Sequence, residues 1–292
     1  MKIKNSKSGI AFDIFNMFFM FFMVVITLYP FIYILFGSFS DSGLLMRNSG
    51  VLWKPAGFSL EGYKAVLNNE DIFSGYANTL FYIIVGTSLS IIVSSLLAFT
   101  LSRSYLKHTK GIMVMIVVTM FFDGGMIPTF LLVRGLGLIN SRWAVIIPTL
   151  ISTYNLIVLK TSFASIPASI EESAYIDGAS AFTVLFKFVI PLSKAAIAVQ
   201  ILFYGVGIWN SWFNAMIYLK DRNLYPIQLI LREILIDSSA ELTAGSGADD
   251  KASLSDVIKY ATVVITTVPI LCVYPFLQKY FVKGVMIGAV KG

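Results

Sequence analysis

Asp123, Asn155, Asn210, Ser211 and Asn214 stand inside otherwise apolar stretches of this 292-residue chain. Polar groups in such surroundings are costly and face a cavity or a partner segment. Carboxylate, amide and hydroxyl groups donate and accept hydrogen bonds without making or breaking covalent bonds, which suits recognition of a hydroxyl-rich solute. Nothing beside them adds a nucleophile or a metal set. His108 stands among Lys107, Thr109 and Lys110 with no carboxylate or thiol nearby in sequence, and reads as a solvated loop histidine. Cys272, the single cysteine, lies in an apolar run and reads as a small packing residue. No phosphate loop, H-E-x-x-H or dinucleotide fingerprint occurs, so the chain is expected to bind no cofactor or metal and to carry no catalytic residue.

A second set of residues is punctuation rather than chemistry. Between Lys160 and Lys194 the chain reads TSFASIPASIEESAYIDGASAFTVLFKFVIPLSK. Ser169 precedes Glu172 by three residues, the spacing of a capping box, so a short helix is expected to start just after Pro167 and to end at Gly178. Ser180 can cap a second short helix whose apolar stripe is Phe182, Leu185, Phe186 and Val189, before Pro191 starts the next element.

The elements that must position these residues follow from composition. The chain is 57% hydrophobic and 13% charged, with a mean hydropathy of +0.80. That leaves too few polar residues to cover a soluble core of this size, and excludes a soluble enzyme, a disordered chain and a disulfide scaffold. The net charge of +6 is scattered among apolar runs rather than gathered in a patch, so nucleic acid is not an expected partner. A crossing helix needs about 20 mostly apolar residues. Stretches of that kind lie at about 14–40, 72–102, 111–133, 143–159, 195–219 and 260–278, after an N-terminal segment 1–13. The expected fold is all-α: a polytopic membrane protein of six transmembrane helices, 14–292 forming one transmembrane domain. The first stretch exceeds a signal-peptide core and lacks a small-residue cleavage site, so it reads as a retained helix.

Six crossings put both termini on one side. The short segment Arg103 to Lys110 carries three Lys/Arg and Arg134 to Arg142 carries two, which places the termini in the cytoplasm. The segment 166–193 is then cytoplasmic, and about 41–71 and 220–259 are external loops, the second containing a small, polar run from Asp237 to Ser255.

If helix five is continuous, Gly207, Asn210, Ser211 and Asn214 share one face, with Trp209 and Trp212 opposite at lipid-facing or outer-belt positions. That polar face either meets a solute or holds helix five to a neighbour. Asp123 falls near the membrane midplane, followed by Gly124-Gly125 and Pro128. It can meet substrate hydroxyls, pair with another subunit, or bind backbone freed by the glycines and proline, and a structural or gating role is favoured. Asn155, with Ser152 and Thr153 a turn earlier, is a further candidate for the same path.

The run Glu172-Ser173-Ala174, three residues, Gly178, nine residues, then Phe188-Val189-Ile190-Pro191 resembles the E-A-A-x3-G-x9-I-x-L-P loop of ABC importer permeases. Ser173 replaces an Ala, Phe188 an Ile and Ile190 a Leu. The stretch from Ile166 to Ser193 and the ending from Val282 to Gly292 resemble the carbohydrate-uptake branch, and within it the second permease of Gram-positive oligosaccharide importers. The resemblance implies a coupling helix seated in a cleft of a separate ATPase, with Glu172, Ala174 and Gly178 at the core of the contact and Ser173, Tyr175, Asp177 and Pro191 beside them. Glu172 also fits a capping role alone, and Tyr175 and Ile176 fit burial at the membrane surface. Also implied are a second homologous permease, two ATPase subunits that hold ATP and Mg, an extracellular substrate-binding lipoprotein, an oligosaccharide substrate and a bacterial cell-membrane location. The ending from Gly284 to Gly292 either frays or reaches between the ATPase subunits. The loop alone would also allow a non-sugar solute. An ion-driven secondary transporter would need paired intramembrane carboxylates, and only Asp123 is available. The lack of a clearly intramembrane basic residue points to neutral sugars.

Overall fold

A computed structural model of the chain describes residues 7–48, 50–243, 255–272 and 275. All regular elements among the described residues are helical, and the chain divides into two units, Met1–Asn69 with Glu233–Thr267 and Glu70–Arg232 with Val268–Gly292.

In the first unit α1 (Lys7–Ser38) starts ahead of position 14 because Ile10, Ala11 and Phe12 extend its apolar run. Ser40 closes the turn that follows: its Oγ donates to the Phe36 carbonyl (2.7 Å) and accepts from the Ala56 N–H (3.0 Å). Two short helices follow, α2 (Ser42–Arg47) and α3 (Glu61–Leu67), within the segment expected to be an external loop.

The second unit is built on α4 (Glu70–Ser102), which turns a face of small residues inward. Gly75, Ser90, Ser94, Ser95 and Ala98 are buried there, and small residues let membrane helices approach closely. Next come α5 (Thr109–Phe121), α6 (Met126–Gly135), α7 (Arg142–Ile146) with a 3₁₀ turn at Ile147–Thr149, and α8 (Thr153–Ala164). The short helix α9 (Ala168–Ile176) precedes α10 (Ala181–Val184), a π turn at Leu185–Val189 and α11 (Ile190–Leu192). Then follow α12 (Lys194–Trp209) and α13 (Phe213–Tyr218). The chain continues through α14 (Ile227–Thr243), which begins in the second unit and passes into the first at Glu233, and then α15 (Ser255–Cys272), which lies in the first unit up to Thr267. There Gly37 of α1 lies so close to Tyr260 of α15 that a Cβ would come within 2.7 Å of the ring.

Residues 8–38 of α1, all of α4, and α15 are long and apolar enough to cross a bilayer, and counting each of three bent pairs as one span gives up to six. The bends differ from the continuous helices expected. The third stretch breaks at 122–125, where α5 and α6 meet at 115°, because Gly124-Gly125 cannot hold helical backbone there and Gly125 takes φ +85°. The fourth bends by 52° after the Pro148-containing 3₁₀ turn. The fifth ends at Trp209 and resumes at Phe213. The segment 220–259 is not a loop throughout: Ile227, Leu229 and Ile230 of α14 are buried, and Ser238-Ser239-Ala240 are helical. Residues 244–254, most of the sixth stretch beyond 272 and the ending 284–292 lie outside the described residues.

Candidate functional site

The segment from Pro167 to Ser193 rests on a packed base. Ala174 of α9, with Val184, Leu185 and Val189, joins a core with Ala98 and Phe99 of α4 and Leu156, Leu159 and Phe163 of α8. The expected capping box does not form. Pro167 is the N-cap and carries no side-chain cap bond, and Ser169 lies within the first turn, its carbonyl accepting from the Ser173 Oγ at 2.6 Å. Proline's fixed φ starts the helix instead. Its end is as the spacing predicts: Asp177 is the C-cap, Gly178 adopts φ +84°, and the Gly178 and Ala179 N–H groups return to the carbonyls of Tyr175 (3.0 Å) and Ala174 (2.9 Å). Ser180 then caps α10 by accepting from the Thr183 N–H at 3.3 Å. The π turn splits the expected apolar stripe. It leaves Leu185 and Val189 buried and Phe182 and Phe186 exposed, and Pro191 lies inside a helical run rather than opening a new one.

The faces of α9 consequently divide between base and surface, with Glu171 and Ala174, three residues apart, buried. Glu172, Ser173, Tyr175, Ile176, Asp177 and Gly178 are exposed, and Pro191 is exposed beyond them. Ile176 is 86% exposed, an unusual position for a large apolar side chain unless something covers it. The residue beneath them, absent from the expected set, is Glu171. It pairs with Arg103 just past the end of α4, both side chains 7% exposed. Arg103 also stacks over the Phe99 ring at 4.6 Å and donates from Nη1 to the Phe163 carbonyl of α8 at 3.3 Å. One guanidinium therefore ties the ends of two long helices to α9. Burial pushes the Glu171 carboxyl up from its ordinary value, while the Arg103 charge and hydrogen bond pull it part of the way back. Burial, followed by a hydrogen bond with Tyr105, raises the Tyr175 hydroxyl in the same corner. Glu171 lies three residues before Ala174, so the two share the face of α9 that the core covers.

Further along the second unit a cavity of about 320 Å³ is lined by Thr149, Ser152, Asn155, Tyr204 and Ser211 together with Tyr82, Gly207 and the apolar Val145, Ile146, Phe203 and Ile208. The Tyr204 hydroxyl holds the lining together, lying 2.9 Å from the Ser94 Oγ and accepting from the Ser152 N–H at 3.2 Å. Gln200 donates to the Asn155 carbonyl at 3.2 Å. Asn155 and Ser211 are thus brought together, and the other three candidates are not among the lining residues. Asn210 is exposed and donates to its own helix at the Val206 carbonyl (3.0 Å), while Asn214 lies on α13 beyond the break. Asp123 sits in the α5–α6 corner, where its Oδ1 accepts from the Gly125 N–H at 3.1 Å. A shared face for 207, 210, 211 and 214 required a continuous helix. The observed face, Tyr204, Gly207, Ile208 and Ser211, follows the same period up to the break. Trp209 is buried against Tyr76 and so does not face lipid as expected, while the half-buried Trp212 carries the Arg232 guanidinium at 4.5 Å.

A helical membrane chain with broken spans, a polar cavity and a short solvent-presented helix on a packed base defines a membrane permease. No family model matches the chain. Protein LplC of Bacillus subtilis (strain 168) is 40% identical over 288 residues, covering 99% of this chain and 97% of that one. The polygalacturonan/rhamnogalacturonan transport system permease protein YtcP of the same organism is 42% identical over 287 residues, covering 96% and 98%. The crystal structure of a bacterial ABC transporter involved in the import of the acidic polysaccharide alginate contains a chain that superposes with a TM-score of 0.86 at 32% identity, covering 94% of this chain and 98% of that one. The chain belongs to the carbohydrate-uptake permeases of ABC importers. It is an integral membrane permease subunit and not an enzyme.

Proposed function

We propose that this permease pairs with a second, homologous permease and is driven through α9 by a separate ATPase dimer, which holds ATP and Mg, to import an oligosaccharide delivered by an extracellular binding lipoprotein. The observation that carries the reading is the division of α9 into an exposed row, Glu172, Tyr175 and Ile176, and a base fixed by Ala174 and the Glu171–Arg103 pair. A helix can transmit a push only if it does not slide on its support. Here a push on the exposed row passes through Arg103 to the ends of α4 and α8, and those helices carry Tyr82, Asn155 and, through Ser94, the Tyr204 hydroxyl at the cavity. In this reading both termini lie in the cytoplasm with α9, in the bacterial cell membrane.

The cavity lining sets hydroxyls and one amide, that of Asn155, among apolar and aromatic walls, a mixture that suits a sugar with its hydroxyls and apolar ring faces. Uronate-bearing oligosaccharides stand first among cargoes to try, because one relative is named for polygalacturonan and the matching structure is that of an alginate importer. The test is ATP hydrolysis by the complete transporter in lipid, with its binding protein and a panel of acidic and neutral oligosaccharides added singly. Stimulation by one sugar class is the expected result. Stimulation by a non-sugar solute and by no sugar would keep the permease and overturn the cargo.

A further inference from the structure

One large cavity plays no part in the path above. A groove of about 590 Å³ runs along α5, walled by Met113, Val117, Val118 and Phe121, and opens at one end between Lys110 and Lys160. The lysines come from different helices, and among the described residues neither ammonium has an ion-pair partner. No acidic residue lines the groove. The same end holds the start of α5, whose first turn contains no acidic residue and whose N-cap, His108, makes no side-chain cap bond. Unpaired helix N–H groups and two cations thus converge where the apolar wall stops.

The dimensions match one leaflet. Lys110 to Phe121 spans about 17 Å at 1.5 Å per residue, against about 15 Å for half of a hydrocarbon core. A groove that is apolar over that length and cationic only at its mouth fits a molecule with an acyl chain and an anionic head. We infer that this groove is a binding site for an anionic phospholipid, its phosphate held by Lys110, Lys160 and the α5 N-terminus and one acyl chain lying along Met113, Val117 and Phe121. The inference rests on α5 standing in the bilayer, and does not depend on the sugar assignment. Such a lipid would fill the angle between α5 and its neighbours α4 and α8, and so stabilise the broken third span where protein packing is sparse.

The probe is phosphatidylglycerol, compared with phosphatidylcholine of the same chains, added to the detergent-purified transporter and counted by native mass spectrometry. Each lysine near an anionic headgroup contributes roughly a fivefold preference, so the intact site is expected to favour phosphatidylglycerol by about 25-fold. Lys110→Ala with Lys160→Ala should abolish the preference while some uncharged lipid is still retained, and Val117→Trp should expel both lipids. Lys187→Ala, an exposed charge outside the groove, should change nothing. Equal retention of the two lipids by the unaltered protein would overturn the site, as would an equal loss in Lys187→Ala. So would bound lipid that survives both groove variants, which would show that it sits elsewhere or that another subunit covers this surface. Uptake with any cargo leaves these outcomes unchanged, so failure here is separable from failure of the transport reading.

Discussion

Arg103 lies one residue past the end of α4 and forms a buried ion pair with Glu171 in the first turn of α9, while also contacting Phe99 and the Phe163 carbonyl. Breaking a buried pair from one side strands the other charge and costs about 3–5 kcal/mol. Arg103→Gln is therefore expected to lower stability and to uncouple ATP hydrolysis from uptake. Its pH dependence is diagnostic. With the guanidinium gone, only burial acts on Glu171, so its carboxyl holds a proton to higher pH in the folded chain than in the unfolded one. The folded state then binds more protons than the unfolded state in that window, and stability falls as pH rises through the raised pKa. Thermal unfolding of Arg103→Gln should recover toward the unaltered protein as pH falls into the ordinary carboxylate range and worsen as pH rises above it. Adding Glu171→Gln should flatten that slope. A slope unchanged by the second substitution would mean that Glu171 is not the titrating group.

At Gly178 the demand is purely conformational. Its φ is +84°, and a Cβ would have nothing within 4 Å. Side-chain clash is therefore absent and backbone strain alone sets the ranking. Asn, which tolerates the left-handed region, should retain most uptake. Ala should cost about 1 kcal/mol, and Pro, locked near φ −65°, should abolish uptake in a protein that still inserts. Uptake measured with membrane-localised protein quantified in parallel checks the series; normal uptake by Gly178→Pro would remove the turn from the coupling path.

The segment around that turn was legible in the sequence because its devices are local. Glycine at 178 and a serine cap at 180 each act within one turn of themselves and so placed the end of one short helix and the start of the next, whereas the first helix does start after Pro167 but without the Ser169–Glu172 capping box from which that start was read. Apolar length placed α1 and α4 for the same reason. What failed was extrapolation of period across breaks. Asn210 and Asn214 shared a face with Gly207 only while helix five was taken as continuous, and of that face the structure leaves Gly207 and Ser211 on the cavity. Asp123 was a local matter again: of the roles open to it, the structure shows the one in which its carboxylate accepts from backbone freed at the glycines, the Gly125 N–H of the α5–α6 corner. Tertiary pairing was out of reach altogether, since no local signal joins Arg103 to Glu171 across 68 positions or Tyr204 to Ser94 across 110.

The exposed row of α9 should separate docking from folding. Ile176→Glu adds charge where the side chain is 86% exposed, so the isolated permease should lose less than about 0.5 kcal/mol of stability. Ala174→Leu, at a buried position, should destabilise it by about 1–3 kcal/mol through overpacking. If α9 is the ATPase contact, Ile176→Glu should nevertheless weaken co-purification of the ATPase at least as much as Ala174→Leu. Retention of a full complement of ATPase by Ile176→Glu would place the contact elsewhere.

The cavity gives the most selective test of the transport path. Ser211→Val and Asn155→Leu each replace a hydrogen-bonding wall with an apolar one of similar bulk, and unmade hydrogen bonds to a desolvated sugar cost about 1–3 kcal/mol apiece. Uptake at saturating sugar should fall roughly tenfold in each, since about 1.4 kcal/mol on a rate-limiting step is a factor of ten. Stimulation of ATP hydrolysis by the loaded binding protein should persist, because neither residue lies on α9. Tyr204→Phe should be harsher, for it also strands the Ser94 hydroxyl and the Ser152 N–H. Asn210→Ala is the matched contrast: its amide serves only its own helix at Val206, and uptake should stay within about twofold of the unaltered protein. Rates measured in the same vesicles for all four variants decide the matter. If Asn210→Ala is the variant that loses uptake while Ser211→Val and Asn155→Leu do not, sugar passes along the exposed face of α12 and not through this cavity.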